Sequence, residues 1–175
     1  MAKVVVDGRK VTVLNAEGWF KFLEWFLHNI FRMKGFTIGA QAPVPGLILK
    51  RGARKLPTST LREEMIHHAQ FLELIILFAG VAFLSTLVAL LGGALPWSKA
   101  WVLTTTPPLA ALCVWPFYGL IWLAGLGGGI DADGDGDADG QDAYLRSLFE
   151  TEPARHRHEE GYLARRPMFA NFRGL

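Results

Sequence analysis

One stretch of this 175-residue chain has the residue types and spacing for chemistry. It reads Thr58-Ser59-Thr60-Leu61-Arg62-Glu63-Glu64-Met65-Ile66-His67-His68-Ala69-Gln70-Phe71-Leu72-Glu73-Leu74. Hydroxyl residues open it as a helix N-cap would, and no helix breaker follows. Positions i and i+4 share a helix face, so Glu63 and His67 point the same way, with Glu64 between them in sequence. This is the layout of H-E-x-x-H with Glu63 in place of the first histidine. In that motif two imidazoles bind zinc and the glutamate is a general base toward water. Zinc also accepts carboxylates, so Glu63 and His67 are candidate ligands and Glu64 the candidate base. Such a set is more anionic than one with two histidines and leaves its water less acidic. His68, His156 and His158 are alternative sources of the missing nitrogen, and Glu64 and His68 are themselves an i, i+4 pair. A purely structural role is equally concrete. Thr60-x-x-Glu63 has the form of a capping box, in which Glu63 satisfies backbone donors.

A second metal signal follows at Asp131, Asp133, Asp135, Gly136, Asp137, Asp139 and Asp142. Loop positions 1, 3, 5, 6 and 9 fit a calcium-binding EF-hand, with Asp142 where a glutamate closes the loop. The competing reading is a solvated Asp/Gly linker after Gly127-Gly128-Gly129.

The elements that must position these groups are set by an uneven charge distribution. The chain is 51% hydrophobic and 19% charged, yet Lys99 is the sole charged side chain from Leu74 to Ile130. Leu74–Trp97 and Ala100–Ile130 each exceed the roughly 20 apolar residues that span a bilayer. Gly92-Gly93 and Leu95-Pro96-Trp97-Ser98-Lys99 separate them with turn chemistry and an interfacial Trp and Lys. Pro107-Pro108 and Pro116 are expected to kink the second span or delay its start. Lys50, Arg51, Arg54, Lys55 and Arg62 precede the first span, so the positive-inside rule puts both termini in the cytoplasm. The expected location is integral to the inner (cytoplasmic) membrane, and the expected partner is the lipid bilayer. No signal peptide is expected, because Met1-Ala2-Lys3 leads into a strand-like run without an apolar h-region. A net charge of +2 argues against nucleic acid. The single cysteine, Cys113, excludes an internal disulfide framework and a Cys-rich zinc module. No Gly-rich phosphate loop or Ser/His/Asp set is present.

Toward the N-terminus, Asp7-Gly8 between two Val-rich runs signals a β-hairpin. Asn15 is the expected cap of a helix whose polar stripe is Glu17, Lys21, Glu24, His28 and Arg32. Its wide aromatic face suits a helix in the membrane interface, or one packed on the two spans. Gly35 is its expected stop. Phe36–Ile38 and Leu47–Leu49 read as short strands flanking Pro43-Val44-Pro45-Gly46. The expected fold is a mainly α membrane protein. It has a two-span helical hairpin, an N-terminal β-hairpin, an amphipathic interfacial helix and a C-terminal helical tail. The parts are 1–57 (hairpin, amphipathic helix, strands), 58–130 (motif helix and spans), 131–142 (Asp/Gly loop) and 143–175 (tail).

Residues 61–74 and 143–170 together resemble a family of small, uncharacterised bacterial and phage proteins of gluzincin-like type. The family carries an H-E-x-I-H-x-x-Q-x-x-E-L segment, a hydrophobic stretch, then A-Y-R-x-x-F-E-x-E-A and a Tyr-Leu-x-x-Arg tail. The matching residues are Glu64, Ile66, His67, Gln70, Glu73, Leu74, Ala143, Tyr144, Phe149–Glu152 and Tyr162–Arg166. The resemblance implies a minimal zinc metallopeptidase, with His67 a ligand, Glu64 the base and Glu150 the third ligand. Glu152 stays a candidate, because Pro153 stands where the pattern has alanine. Topology points the same way: a two-span hairpin returns the chain to the face it left and brings Glu150 toward His67. Two readings stand at this point, a metallopeptidase-like membrane protein and a non-catalytic two-span module of structural or phage-lysis type. Peptide substrate and protein partner are not specified by the sequence.

Overall fold

The computed structural model describes residues 1–31, 39–44, 46–52, 54–114, 116–117, 120–121 and 147–170. The chain divides into two units, one of Met1–Gln70 with Ile121–Leu175 and one of Phe71–Leu120.

In the first unit β1 (Ala2–Val6) and β2 (Arg9–Asn15) pair antiparallel across Asp7-Gly8, as the sequence indicates. Both turn residues are left-handed, with φ 48° and 79°, the backbone that a tight hairpin needs. The helix α1 (Glu17–Phe31) starts one residue later than expected. Phe20 N–H bonds to the Ala16 carbonyl, so Ala16 is the cap, and Asn15 instead ends β2 opposite Lys50. α1 supplies the crossover that a parallel pair requires. β4 (Leu47–Lys50) runs parallel to β2, and β3 (Ala40–Val44) runs antiparallel to β4, giving the order β1-β2-β4-β3. The expected strand Phe36–Ile38 and the stop at Gly35 lie outside the described residues. The strand preceding β4 is Ala40–Val44 and contains Pro43, which an edge strand tolerates. Between the pairs Gln41↔Leu49 and Val44↔Leu47 two residues, Ala42 and Pro43, stand opposite Ile48 alone. This is a β-bulge.

Alternation in the strands turns Val6, Val11, Val13 and Ile48 inward. They pack with Leu61, Met65 and Ile66 of α2 (Thr58–Leu91) and with Tyr162 and Leu163 of a short helix. That helix is α5 (Tyr162–Arg165), preceded by α4 (Leu148–His156) and separated from α2 by α3 (Val102–Ala111). Ser147 caps α4 through its hydroxyl, which accepts from Phe149 N–H. α1 buries Phe20 and exposes Trp19, Phe22, Trp25 and Phe26, whose rings follow one another at 5.9–6.4 Å.

Arg62 ties these pieces together. Its Nε and a terminal nitrogen donate to the two Asp7 oxygens at 3.0 and 3.1 Å, and its other terminal nitrogen donates to the Arg157 carbonyl at 2.8 Å. Asp7 also accepts from Leu163 N–H, and Arg9 donates to the Leu163 carbonyl. Arg62, counted above among cations for the membrane surface, is therefore spent inside the fold.

The second unit holds the apolar part of α2. At about 1.5 Å per residue, Leu74–Leu91 runs about 27 Å, close to the roughly 30 Å of a bilayer core. Ile76, Leu77, Val81, Phe83, Leu84, Val88 and Leu91 are exposed, and just 17% of its most apolar stretch is buried. Among the described residues, much of this apolar surface is left exposed. Among the described residues it is the one helix long and apolar enough to cross a membrane. The second apolar stretch is described only in part, since residues 115, 118–119 and 122–130 lie outside the described residues. α3 holds Pro107 and Pro108 and ends at Ala111, followed by a turn. Each proline lacks the N–H that would bond four residues back. Within this unit Thr86 and Thr106 hydroxyls are 3.1 Å apart, and Phe78 meets Phe117 edge-on.

Asp7→Ala leaves the Arg62 guanidinium buried without its partner, a loss of about 3–5 kcal/mol. We expect a strongly lowered unfolding midpoint in detergent, while Asp7→Glu recovers part of it. The Arg62 hydrogen bond holds the Asp7 carboxyl below its usual range. Its stabilisation is therefore complete above the unfolded carboxylate pKa and disappears as pH falls through the folded one. A variant as stable as the wild type at neutral pH would show that the pair does not organise the fold.

Candidate metal centre

Glu63, Glu64 and His67 lie on the first turns of α2, and Glu150 lies on the first turn of α4. The Pro57 carbonyl accepts from Leu61 N–H at 3.0 Å, so Pro57 occupies the cap position and Thr60 is already helical. The capping-box reading of Thr60 and Glu63 therefore fails. The Glu63 carboxylate is directed elsewhere, 3.5 Å from an Arg157 guanidinium nitrogen.

Glu63, His67 and Glu150 each offer a ligand atom, all within 4.8 Å of one another. Among the described residues no other group of histidines, cysteines and acidic residues meets that condition. His67 Nε2 is 3.4 Å from Glu150 Oε1. That is long for an N–H···O hydrogen bond. It equals the separation of two tetrahedral donors each about 2.1 Å from one ion, about 3.4 Å. The side chains are partly open to solvent, at 23%, 17% and 13% exposure for Glu63, His67 and Glu150. Two carboxylates and one imidazole form a donor set that suits a divalent cation.

Glu64 is buried beside this cluster, and the Ala42 N–H bonds to its carboxylate. The bulge in β3 places Ala42 there, out of the regular ladder with β4. Burial raises the Glu64 pKa, the Glu63 and Glu150 charges raise it further, and His67 and Ala42 oppose them; the outcome is about 7. Burial works against a charge on His67. The adjoining Glu150 carboxylate, with Glu64 and Gln70, outweighs it and pushes the ring up to about 9.

The other candidates are placed differently. His68 donates from Nε2 to the Leu47 carbonyl at 2.9 Å, tying α2 to β4. Glu152 is buried, accepting from Arg166, Tyr162 and Gln70. Burial disfavours its charge, but the Arg166 and Tyr162 hydrogen bonds hold the carboxyl below its usual range. His156 stacks on Tyr162 with ring centres 4.0 Å apart and bonds Glu159. His158 is exposed. The calcium candidates Asp131, Asp133, Asp135, Asp137, Asp139 and Asp142 lie outside the described residues, as do Ala143 and Tyr144. Sequence reasoning gave no role to Arg157, Ala42 or Gln70. The available signal was the i, i+3 spacing of His67 and Gln70, which puts them on one helix face.

No protein-family model, curated protein or solved structure matches this chain.

A carboxyl whose folded pKa exceeds its unfolded value destabilises the fold as pH rises. For Glu64 the penalty is absent below about 4.5 and complete above about 7. His67 runs with the same sign, its contribution complete below 6.5 and lost as pH passes about 9. Without metal, Glu64→Gln should match the wild type in acid and exceed it above neutrality by about 3 kcal/mol. Unfolding midpoints measured against pH in the presence of a chelator check this. Parallel curves for the two proteins would contradict the buried, raised Glu64.

Proposed function

We propose that this chain is a small integral membrane protein with a metallopeptidase-like zinc site at Glu63, His67 and Glu150. The observation that carries the reading is convergence. Ligand atoms from two helices far apart in sequence meet within 4.8 Å, and a buried glutamate adjoins them. The resemblance of residues 61–74 and 143–170 to a gluzincin-like family supports it. In this reading the second apolar stretch, Ala100–Ile130, completes a two-span hairpin. Both termini are cytoplasmic, the aromatic face of α1 lies in the interface, and a peptide is the substrate.

Zinc, when bound, supplies Lewis-acid polarisation of a peptide carbonyl and activation of water. The residues of the chain do the rest. Glu63, His67 and Glu150 hold the ion. Glu64 takes the proton from the attacking water on a carboxylate oxygen and passes it to the leaving amine nitrogen. The new C–O bond forms first and the peptide C–N bond then breaks; the second water proton also passes to the amine, so a carboxylate and an ammonium leave. The Ala42 N–H orients the Glu64 carboxylate for this exchange.

Purified full-length protein is expected to take up about one zinc per chain, measured by elemental analysis. His67→Ala and Glu150→Gln should each weaken binding by about 10²-fold or more. Glu64→Gln should retain zinc and lose peptide hydrolysis by about 10²–10⁴-fold. Zinc content near zero in the wild type, or unchanged in His67→Ala, returns the chain to a non-catalytic membrane module. Independently, the full chain should stay in the membrane pellet through alkaline carbonate extraction. Release into the supernatant would contradict membrane integration.

A further inference from the structure

A chain of buried hydrogen bonds runs behind His67, away from Glu63 and Glu150. Glu152 receives the Arg166 Nε at 2.5 Å, an Arg166 terminal nitrogen at 2.9 Å, the Tyr162 hydroxyl at 2.8 Å and the Gln70 Nε2 at 3.1 Å. Every partner is a donor, so Glu152 is an acceptor-only carboxylate. That decides how the Gln70 amide faces. Its NH₂ must point at Glu152, and its carbonyl oxygen therefore points the other way, to His67 Nδ1 at 3.1 Å. A carbonyl oxygen accepts, so Nδ1 must carry a hydrogen. In a neutral imidazole the lone pair then falls on Nε2, the nitrogen that faces Glu150.

We propose that Gln70 is a positioning residue. It fixes the ring and tautomer of His67, and Arg166 and Tyr162 impose that setting through Glu152. The metal-ligating part rests on the reading above, in which Nε2 meets the ion. The hydrogen bond itself holds with or without metal. The C-terminal segment thereby controls a ligand almost a hundred positions earlier in the chain. Gln70 is 2% and Glu152 6% exposed, so water does not readily replace either partner. An outer partner that orients a ligating histidine is typically worth about 10–100-fold in metal affinity.

The test uses the full chain in detergent with ¹⁵N-labelled histidine rings, zinc as the probe, and His67→Ala to assign the signals. In the wild type without metal, the His67 Nδ1–H should give a proton–nitrogen signal that exchanges slowly with water. Zinc should then shift Nε2 and leave Nδ1–H in place. Gln70→Leu should lose the slow exchange and bind zinc about 10–100-fold more weakly. Should Gln70→Leu not fold, Glu152→Gln serves as the second variant. It keeps the shape but lets either end of the Gln70 amide face it, and the same two losses are expected. Fast exchange of Nδ1–H in the wild type, or zinc shifting Nδ1, overturns the proposal. So do wild-type exchange and affinity in a folded variant. A slowly exchanging Nδ1–H with no response to zinc removes the metal reading and leaves Gln70 as the positioning partner of His67.

Discussion

The fold turns on a buried ion pair between residues that begin and end no element of the site. Asp7 sits in the turn of the first hairpin, where its left-handed backbone projects the carboxylate toward α2 and the C-terminal segment. Arg62 answers with two hydrogen bonds to it and a third to the Arg157 carbonyl. Removing two charges from water is expensive, and a buried pair need not stabilise a protein more than apolar packing would. What it supplies is position. Three remote segments share one set of directional bonds, and few alternative packings satisfy them all. Glu63 follows Arg62 in the chain, and Arg157 both gives Arg62 its carbonyl and meets Glu63 with its guanidinium. The geometry near Glu63 is thus inherited from a turn some fifty-five residues away.

The ionisable groups of the cluster that results are strongly coupled to one another. Glu63, Glu64 and Glu150 surround one imidazole. Coulomb repulsion among carboxylates at this range is relieved either by protons or by a positive ion. In the metal-free protein protons do it: His67 is held protonated to about pH 9 and Glu64 is half-protonated near 7. These titrations belong to the group and not to one residue. A divalent ion removes the same repulsion more completely, and the proton on His67 Nε2 must leave for that nitrogen to ligate.

Local sequence signals carried as far as local physics reaches. Asp-Gly between Val runs set the hairpin because only that turn matches strand twist. Glu63 and His67 are read as neighbours because helix geometry fixes i, i+4, and the uncharged run after Glu73 marks the apolar part of α2 by length alone. Two expectations failed for nearby reasons. Asn15 and Thr60 are good capping types, but sheet pairing claimed Asn15 and the helix began before Thr60. Propensity at a single position gives way to a longer-range partner. Arg157, Ala42 and the Glu152 network were not legible, because each acts across a tertiary contact. Ala42 in particular has no side chain to suggest a role; its N–H is available because the strand bulges.

Glu63 in place of histidine looks at first like damage to a metal site. In the proposed zinc site it adds a negative charge to the ligand set, which weakens the polarisation of a bound water. The structure offers a counterweight on the same carboxylate, since Arg157 lies 3.5 Å from Glu63 Oε2. One added positive charge offsets the one added negative charge, and the sum around the ion becomes that of a two-imidazole, one-carboxylate set. The offset is incomplete, because the Arg157 side chain is 45% exposed and solvent screens it. Glu64 feels the same sum. Burial and two neighbouring carboxylates raise its pKa to about 7, so it is only partly ionised at neutrality. A cation among those carboxylates reverses their effect and favours the ionised form, the form a general base requires. In the proposed zinc site, occupancy and the ionisation of Glu64 are therefore one equilibrium.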